Sequence, residues 1–242
     1  DTWPGGHRLR ELVPWSVERA AAVIVPTKAI ADEVAVRLRV PESKIHVTPE
    51  GVAPVFFGTG ALSGAALGAL GIPGPYVLAA GTIEPRKNLP TLLAAWRRVA
   101  PDLPGWTLVL AGPKGWGPEL PETPGVLPIG WVGDETLPGL LAAAELFCYP
   151  SHYEGFGLPP LEAMAAGTPA IAGRYSAAPE VLGDAAWLVD PGDADAFAEA
   201  LRTLATDTAL RRSYVVAGKA HAAGYTWERT AATTISAYRS IS

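Results

Sequence analysis

The chain has 242 residues, 49% of them apolar and 18% charged, with a net charge of -5. That balance excludes a disordered chain and provides for one good core or two modest ones. The negative sum speaks against a nucleic-acid coat or a surface held to anionic lipid. A single cysteine, Cys148, excludes an internal disulfide and fits a reducing, cytoplasmic compartment.

Taken in chain order, the first strand candidates are "AVIVPT" (22–27) and "KIHVTPEG" (44–51). The run 51–83 carries no charge, but Pro54, Pro73, Pro75 and six glycines between 58 and 74 would break a membrane-spanning helix. It reads as a linker, a small helix and a buried strand. Further strand candidates are "YVLAAG" (76–81), "TLVLAG" (107–112), "VLPIGWV" (126–132), "LFCYPS" (146–151), "TPAIAG" (168–173) and "AWLVDP" (186–191). Most are near-continuous apolar runs, as in parallel strands covered on both faces. Helical patterns lie between them, among them "NLPTLLAAWRRVA" and "DETLPGLLAAAE", the second opening on Asp134 as its expected N-cap. Strand–helix alternation predicts an α/β fold with a doubly wound parallel sheet, whose ligands sit at the carboxyl ends of the strands.

Prolines and glycines in "TPEGVAPVFFGTG" place a boundary near Ala53. Residues 1–53 supply two strands and two helices, too few to close a sheet, and read as an incomplete α/β remnant of a second domain. Residues 54–225 form the main domain, and 226–242 a terminal amphipathic helix with Trp227, Ala231, Ile235 and Tyr238 on one stripe. With Asp1 in first place, the chain is expected to begin inside something larger.

The chemistry concentrates in "HYEGFGLPPLEAMAAGTP". Glu154 and Glu162 stand with seven residues between them, separated by a glycine-rich turn and two prolines. The prolines suit the first turn of a helix starting near Leu158, and Gly167 suits its end. A helix N-terminus preceded by Gly155 and Gly157 lets an anion, typically phosphate, come close to backbone N–H groups. Glu162, one turn in, can accept the paired hydroxyls of a ribose, and Glu154 can receive hydroxyls from a sugar. Each glutamate alone also reads as an ordinary first-turn or loop acid, and the two together as a glycosidase pair, although that chemistry needs no phosphate-binding helix terminus. Arg86 and Lys87, beside Gly81 at the end of another strand candidate, suit a diphosphate, the arginine as a fork and the lysine as a point charge. They also read as a solvated basic corner.

"EGFGLPPLEAMAAGTP" resembles the glutamate–seven–glutamate signature of retaining GT-B glycosyltransferases of family 4. "PTKAIADEV", "KIHVTPEGV", "GTIEPRKN", "GWVGDETLPGLLAAAELFCYPS" and "APEVLGDAAWLVDPGD" follow that family's order across nearly the whole chain. The resemblance implies that Glu162 holds the ribose and that Glu154 contacts the donor sugar. Phe156, Gly157 and Leu158 would line the phosphate and sugar site, and Arg86 and Lys87 would neutralise the departing diphosphate. Pro113 in "LAGPKGWG" and Val132 in "GWVGD" become candidates for packing on the base. Where the family often has arginine after the glycine, this chain has Thr82. "GTIEPRKN" is most similar to mannosyltransferase members, which implies GDP-mannose as donor.

The implied protein is the donor-binding half of a metal-independent hexosyltransferase that needs no cofactor. Its partners would be a nucleotide sugar, a carbohydrate or lipid-linked acceptor, and an acceptor domain preceding Asp1, through which any peripheral membrane contact would run. Alone, the chain should catalyse little or nothing, and the terminal helix should cross back onto residues 1–53, the two packing together away from the Glu154 site. A nucleotide-sugar-binding module without chemistry, and a glycoside hydrolase or phosphorylase, are the alternatives. Asp193 and Asp195 in "DPGDADAF" imitate the metal-binding pair of other glycosyltransferases, but read as an N-cap and a first-turn acid. His152, two residues before Glu154, either lines the site or belongs to a surface loop. The histidines have no metal-ligand spacing, and Cys148 reads as a buried small residue.

Overall fold

The computed structural model describes residues 6–117 and 119–241; Asp1, where the incomplete remnant was expected to begin, lies outside them. Two separate parallel sheets organise the described residues. The smaller pairs β1 (Val23–Val25) with β2 (Ile45–Val47) and belongs with α1 (Gly6–Arg19) and α2 (Lys28–Leu38). Two short helices, α3 (Val55–Gly58) and α4 (Gly64–Ala69), occupy the uncharged stretch where the sequence suggested one. Ser63 makes the difference, since its side chain caps α4 by accepting from the Ala66 amide.

The larger sheet holds β3 (Tyr76–Ala80), β4 (Thr107–Ala111), β5 (Val126–Gly130), β6 (Leu146–Tyr149), β7 (Ala170–Gly173) and β8 (Trp187–Val189). Every apolar run singled out above forms a strand. The spatial order is β5-β4-β3-β6-β7-β8, all parallel, so the winding reverses between β3 and β6. This is the doubly wound α/β sheet the sequence predicts.

Both faces of the sheet are covered by α5 (Leu89–Val99), α6 (Leu137–Ala143), α7 (Leu158–Ala166), α8 (Ala178–Leu182), α9 (Ala194–Thr206) and α10 (Thr208–Ala222). Strand side chains alternate between the two faces. Val77, Leu108, Leu146 and Cys148 join the core under α5 and α9, whereas Leu78, Val109, Phe147 and Tyr149 join the one under α6 and α7. Cys148 is fully buried, and burial pushes its thiol pKa up. Asp193 caps α9 by accepting from the Ala196 amide, and Asp195 pairs with Arg98 at 2.7 Å, so both have structural roles.

Two expectations are corrected. Asp134 does not cap α6; the helix starts at Leu137 behind Thr136. Pro138 must lie in the first turn, where its missing N–H costs nothing, which pushes the start past Asp134. The terminal helix, α11 (Trp227–Arg239), forms and lies against the β2 side of the small sheet, but not through the expected stripe. Thr230 Oγ1 donates to the Pro49 carbonyl at 2.8 Å and Ala237 is buried, while Trp227, Ile235 and Tyr238 are exposed. The polar threonine face finds a backbone acceptor there, and the apolar stripe is rotated away. Among the described residues no helix is long and apolar enough to cross a membrane.

Candidate functional site

At the reversal between β3 and β6 the helices that follow the two strands, α5 and α7, lie on opposite faces of the sheet, which opens a crevice at the strands' carboxyl ends. The loop after β3 carries Arg86 and Lys87, and the loop after β6 carries Glu154. The two loops are tied together: the His152 amide donates to the Arg86 carbonyl at 3.0 Å, and Asn88 Nδ2 donates to the Pro150 carbonyl at 3.0 Å. His152 itself is exposed and contributes this backbone bond.

Glu154, only 9% exposed, is the focus of the crevice. Lys87 Nζ donates to Glu154 Oε1 at 2.8 Å and to Tyr149 Oη at 2.5 Å, and Tyr149 Oη donates to the same Oε1 at 2.8 Å. Arg86 donates to Oε2 and also pairs with Glu84 at 2.6 Å. Burial alone would raise the carboxyl pKa; Lys87, Tyr149 and Arg86 together outweigh it and hold Glu154 below the usual carboxylate range. Burial likewise lowers the Lys87 pKa, against the pull of Glu154. Tyr149, buried and bonded to an anion, is held well above the ordinary phenol range.

Next to this cluster α7 begins. Gly157 is its N-cap at φ 105, and a Cβ there would lie 2.1 Å from the Tyr175 hydroxyl, so only glycine fits. Pro159 and Pro160 have no N–H, which leaves the amides of residues 155–158 as the donors this terminus can offer an anion. A cleft of about 350 Å³ opens here, lined by Lys87, Tyr149, Glu154, Gly155–Pro159 and, from the small-sheet side, Pro26 and Glu50. A larger cavity of about 880 Å³ lies at the β5 edge, between Leu93, Leu110, Trp116 and Pro128, and holds none of these groups.

Glu162 sits one turn into α7, half-buried, its side chain without a hydrogen-bond or ion-pair partner among the described residues. Burial, with Asp134 nearby, pushes its pKa up to about 7 from an ordinary 4.5. Asp134, expected as a helix cap, instead adds its charge to the field that raises the Glu162 pKa.

The other candidates divide. Gly157 and Leu158 line the cleft, and Gly81 lies against Lys87, whose Cε would be 3.3 Å from a Cβ at that position. The ring of Phe156 turns into the core, 5.8 Å from Tyr225, so its backbone is what it presents to the cleft. Pro113 is exposed and accepts the Ile83 amide at 3.0 Å, while Val132 packs on the core beneath the sheet; neither lines the cleft. Tyr149, Glu50, Pro26 and Tyr175 escaped the sequence reading. For Tyr149 a signal existed: it ends an alternating strand, directly above the loop that holds Glu154.

Residues 1–53 were expected to lie away from Glu154, but Pro26 and Glu50 line its cleft and the segment 27–29 is bonded beside it, because the first amides of α2 find their acceptor on α8. Glu180 on α8 accepts from the Lys28 and Ala29 amides at 2.8 and 3.1 Å, and Thr27 Oγ1 donates to the Gly155 carbonyl at 3.0 Å. The start of α2 is thereby fastened to the larger sheet beside the cleft.

The profile described as "Glycosyl transferases group 1" matches residues 74–207, and that of "Glycosyltransferase Family 4" matches residues 1–56. The chain is 38% identical over 173 residues to an O-antigen chain mannosyltransferase B of Escherichia coli, covering 68% of this chain and 45% of that protein. It is 34% identical over 244 residues to a D-inositol 3-phosphate glycosyltransferase of Kribbella flavida, covering 92% and 57%. The chain thus spans about half the length of these curated relatives. Among solved structures, a sucrose-phosphate synthase of Thermosynechococcus elongatus superposes with a TM-score of 0.76 at 25% identity, over 100% of this chain and 64% of that one. Anabaena HepE in complex with UDP-glucose superposes with a TM-score of 0.79 at 20% identity, over 97% and 67%, a likeness of fold. With more than half its length matched by one profile and the crevice of its sheet lined as described, the chain belongs to the glycosyl transferases group 1 family.

Proposed function

We propose that the protein transfers a hexose, with retention, from a nucleoside diphosphate sugar to an acceptor hydroxyl, and that this chain supplies the donor site. One observation carries the reading: a buried carboxylate, Glu154, held by Lys87, Arg86 and Tyr149 in a cleft that ends on the N-terminus of α7. Two cations and a helix terminus at one spot suit a diphosphate. As the glycosidic bond breaks, negative charge grows on the leaving diphosphate, and positioned cations stabilise that charge more than they stabilise the bound donor. Glu154 holds these same cations, so a diphosphate would compete with it for them. When the diphosphate arrives, Glu154 is released toward the hydroxyls of the sugar.

Glu162 supports the nucleoside end, its half-buried carboxylate accepting the ribose hydroxyls. Because Arg86 and Lys87 supply the positive charge, donor binding should need no metal. Mannosyltransferases among the relatives support GDP-mannose as the first donor to try. The half coverage of those relatives supports an acceptor domain on the N-terminal side.

The test is a calorimetric titration of this chain with GDP-mannose, UDP-glucose and ADP-glucose, each with and without EDTA. One of them should bind, with equal affinity in chelator. Binding of none, or binding that collapses in EDTA and returns with manganese, would overturn the reading.

A further inference from the structure

The cleft has a second carboxylate to which no role has been given, and it comes from the other sheet. Glu50 lines the same cleft as Lys87, Tyr149 and Glu154. It is half-buried, and its side chain has no hydrogen-bond or ion-pair partner among the described residues. Burial raises its pKa. A carboxylate in that condition is costly to keep unless something it binds donates to it.

Its backbone is fixed on both sides. The Pro49 carbonyl accepts from Thr230 Oγ1 at 2.8 Å, and the Val52 amide donates to the Tyr225 carbonyl at 3.0 Å. Gly51 is pressed so close to α11 that a Cβ would lie 2.3 Å from the Trp227 nitrogen. With Thr27 bonded to Gly155 across the cleft mouth at 3.0 Å, Pro26 and Glu50 are held at a set distance from the N-terminus of α7. Glu50 is thus a preorganised acceptor on a rigid segment, in the same cleft as a group of donors.

The charges in the cleft are unevenly placed. Donors and cations lie on the α7 and β3 side, where Lys87 and the terminus of α7 suit phosphate. On the segment that follows β2 stands an unpaired acceptor, which suits hydroxyl hydrogens and repels phosphate. A sugar diphosphate fits that polarity in one orientation, with its diphosphate on Lys87 and its sugar toward Glu50.

We propose that Glu50 is a specificity-determining residue of the donor site: its carboxylate accepts hydrogen bonds from hydroxyls of the transferred sugar, on the face turned away from α7, and so favours a hydroxylated hexose in that position. The proposal rests on the donor-site reading above. It assigns Glu50 no bond-making step.

The experiment is calorimetry on this chain and its Glu50→Gln and Glu50→Ala variants with three ligand pairs: GDP and GDP-mannose, UDP and UDP-glucose, ADP and ADP-glucose. For the pair that binds, Glu50→Ala should weaken the nucleotide sugar about tenfold or more, the scale of a hydrogen bond to a charged group. The affinity for the bare diphosphate should stay the same or rise, since a negative charge leaves its vicinity. Glu50→Gln, which keeps an acceptor oxygen, should fall between. An equal loss for sugar nucleotide and bare diphosphate would mark Glu50 as structural and overturn the proposal, as would no loss for either. Failure of the unsubstituted chain to bind any of the six ligands would instead overturn the donor-site reading, and this proposal with it. Unchanged binding of the bare diphosphate also shows that the variants fold.

Discussion

At the scale of single residues, the site is a buried carboxylate that holds two cations. Glu154 is held below its ordinary pKa because Lys87, Tyr149 and Arg86 all donate to it despite its burial. If a diphosphate replaces it on those cations, Glu154→Gln should bind the bare diphosphate at least as tightly as the unsubstituted chain. Lys87→Ala should bind it more weakly by roughly 1.5–3 kcal/mol, the worth of a charge-assisted bond; calorimetry reads both. Glu162 makes a prediction about pH. Its folded pKa of about 7 exceeds the ordinary 4.5, so the folded state holds the proton more tightly than the unfolded state. Its contribution to stability is therefore complete below about pH 4.5 and is lost as the pH rises through about 7. Glu162→Gln should accordingly be more stable than the parent at pH 8, by roughly 1–3 kcal/mol, and should differ little at pH 4. Denaturant unfolding at the two pH values checks this, and an equal gain at both would show that burial of Glu162 is not the cause. The two glutamates and the basic pair were legible in the sequence because their spacing from glycines and strand ends is local. Glu50 was not legible as a site residue, since only the meeting of the two sheets brings it to the cleft, and Tyr149 could be read only from the parity of β6.

At the scale of elements, α7 carries the most demand. Its N-cap needs φ 105 at Gly157 and leaves no room for a Cβ beside the Tyr175 hydroxyl. Gly157→Ala should destabilise the fold by roughly 1–3 kcal/mol. Adding Tyr175→Phe, which removes the obstructing oxygen, should restore part of the loss but not the part due to backbone strain; thermal unfolding of the single and double variants separates the two. A full recovery would show that the hydroxyl alone forbids a side chain. The strands of the large sheet were readable because both faces are buried, so each is a continuous apolar run flanked by turn residues. Helix starts were less readable. Asp134 looked like a cap on the grounds of residue type, but Pro138 fixes the first turn further on. The apolar stripe of α11 failed as a guide for another reason: the Pro49 carbonyl needs a donor, and Thr230 supplies it, which turns the helix by its polar face.

At the scale of the whole molecule, the two sheets are fastened at the cleft. Glu180 accepts from the first amides of α2, which have no partner within their own helix. Glu180→Ala should cost about 1 kcal/mol, as for the loss of a helix cap, and should speed hydrogen exchange at Lys28 and Ala29 while leaving the strands of the large sheet protected. Exchange rising evenly across the molecule would mean that the clasp is not local. The proposed donor, a nucleoside diphosphate sugar, places its phosphate at Lys87 and α7 in this fastened cleft and its ribose at Glu162, further along α7. The most direct test is to titrate the unsubstituted chain and Glu162→Ala with the nucleoside diphosphate that binds and with its 2′,3′-dideoxy analogue. The substitution should weaken the normal ligand by about tenfold or more and leave the dideoxy ligand nearly unchanged; equal losses for the two ligands, or none for either, would contradict the account.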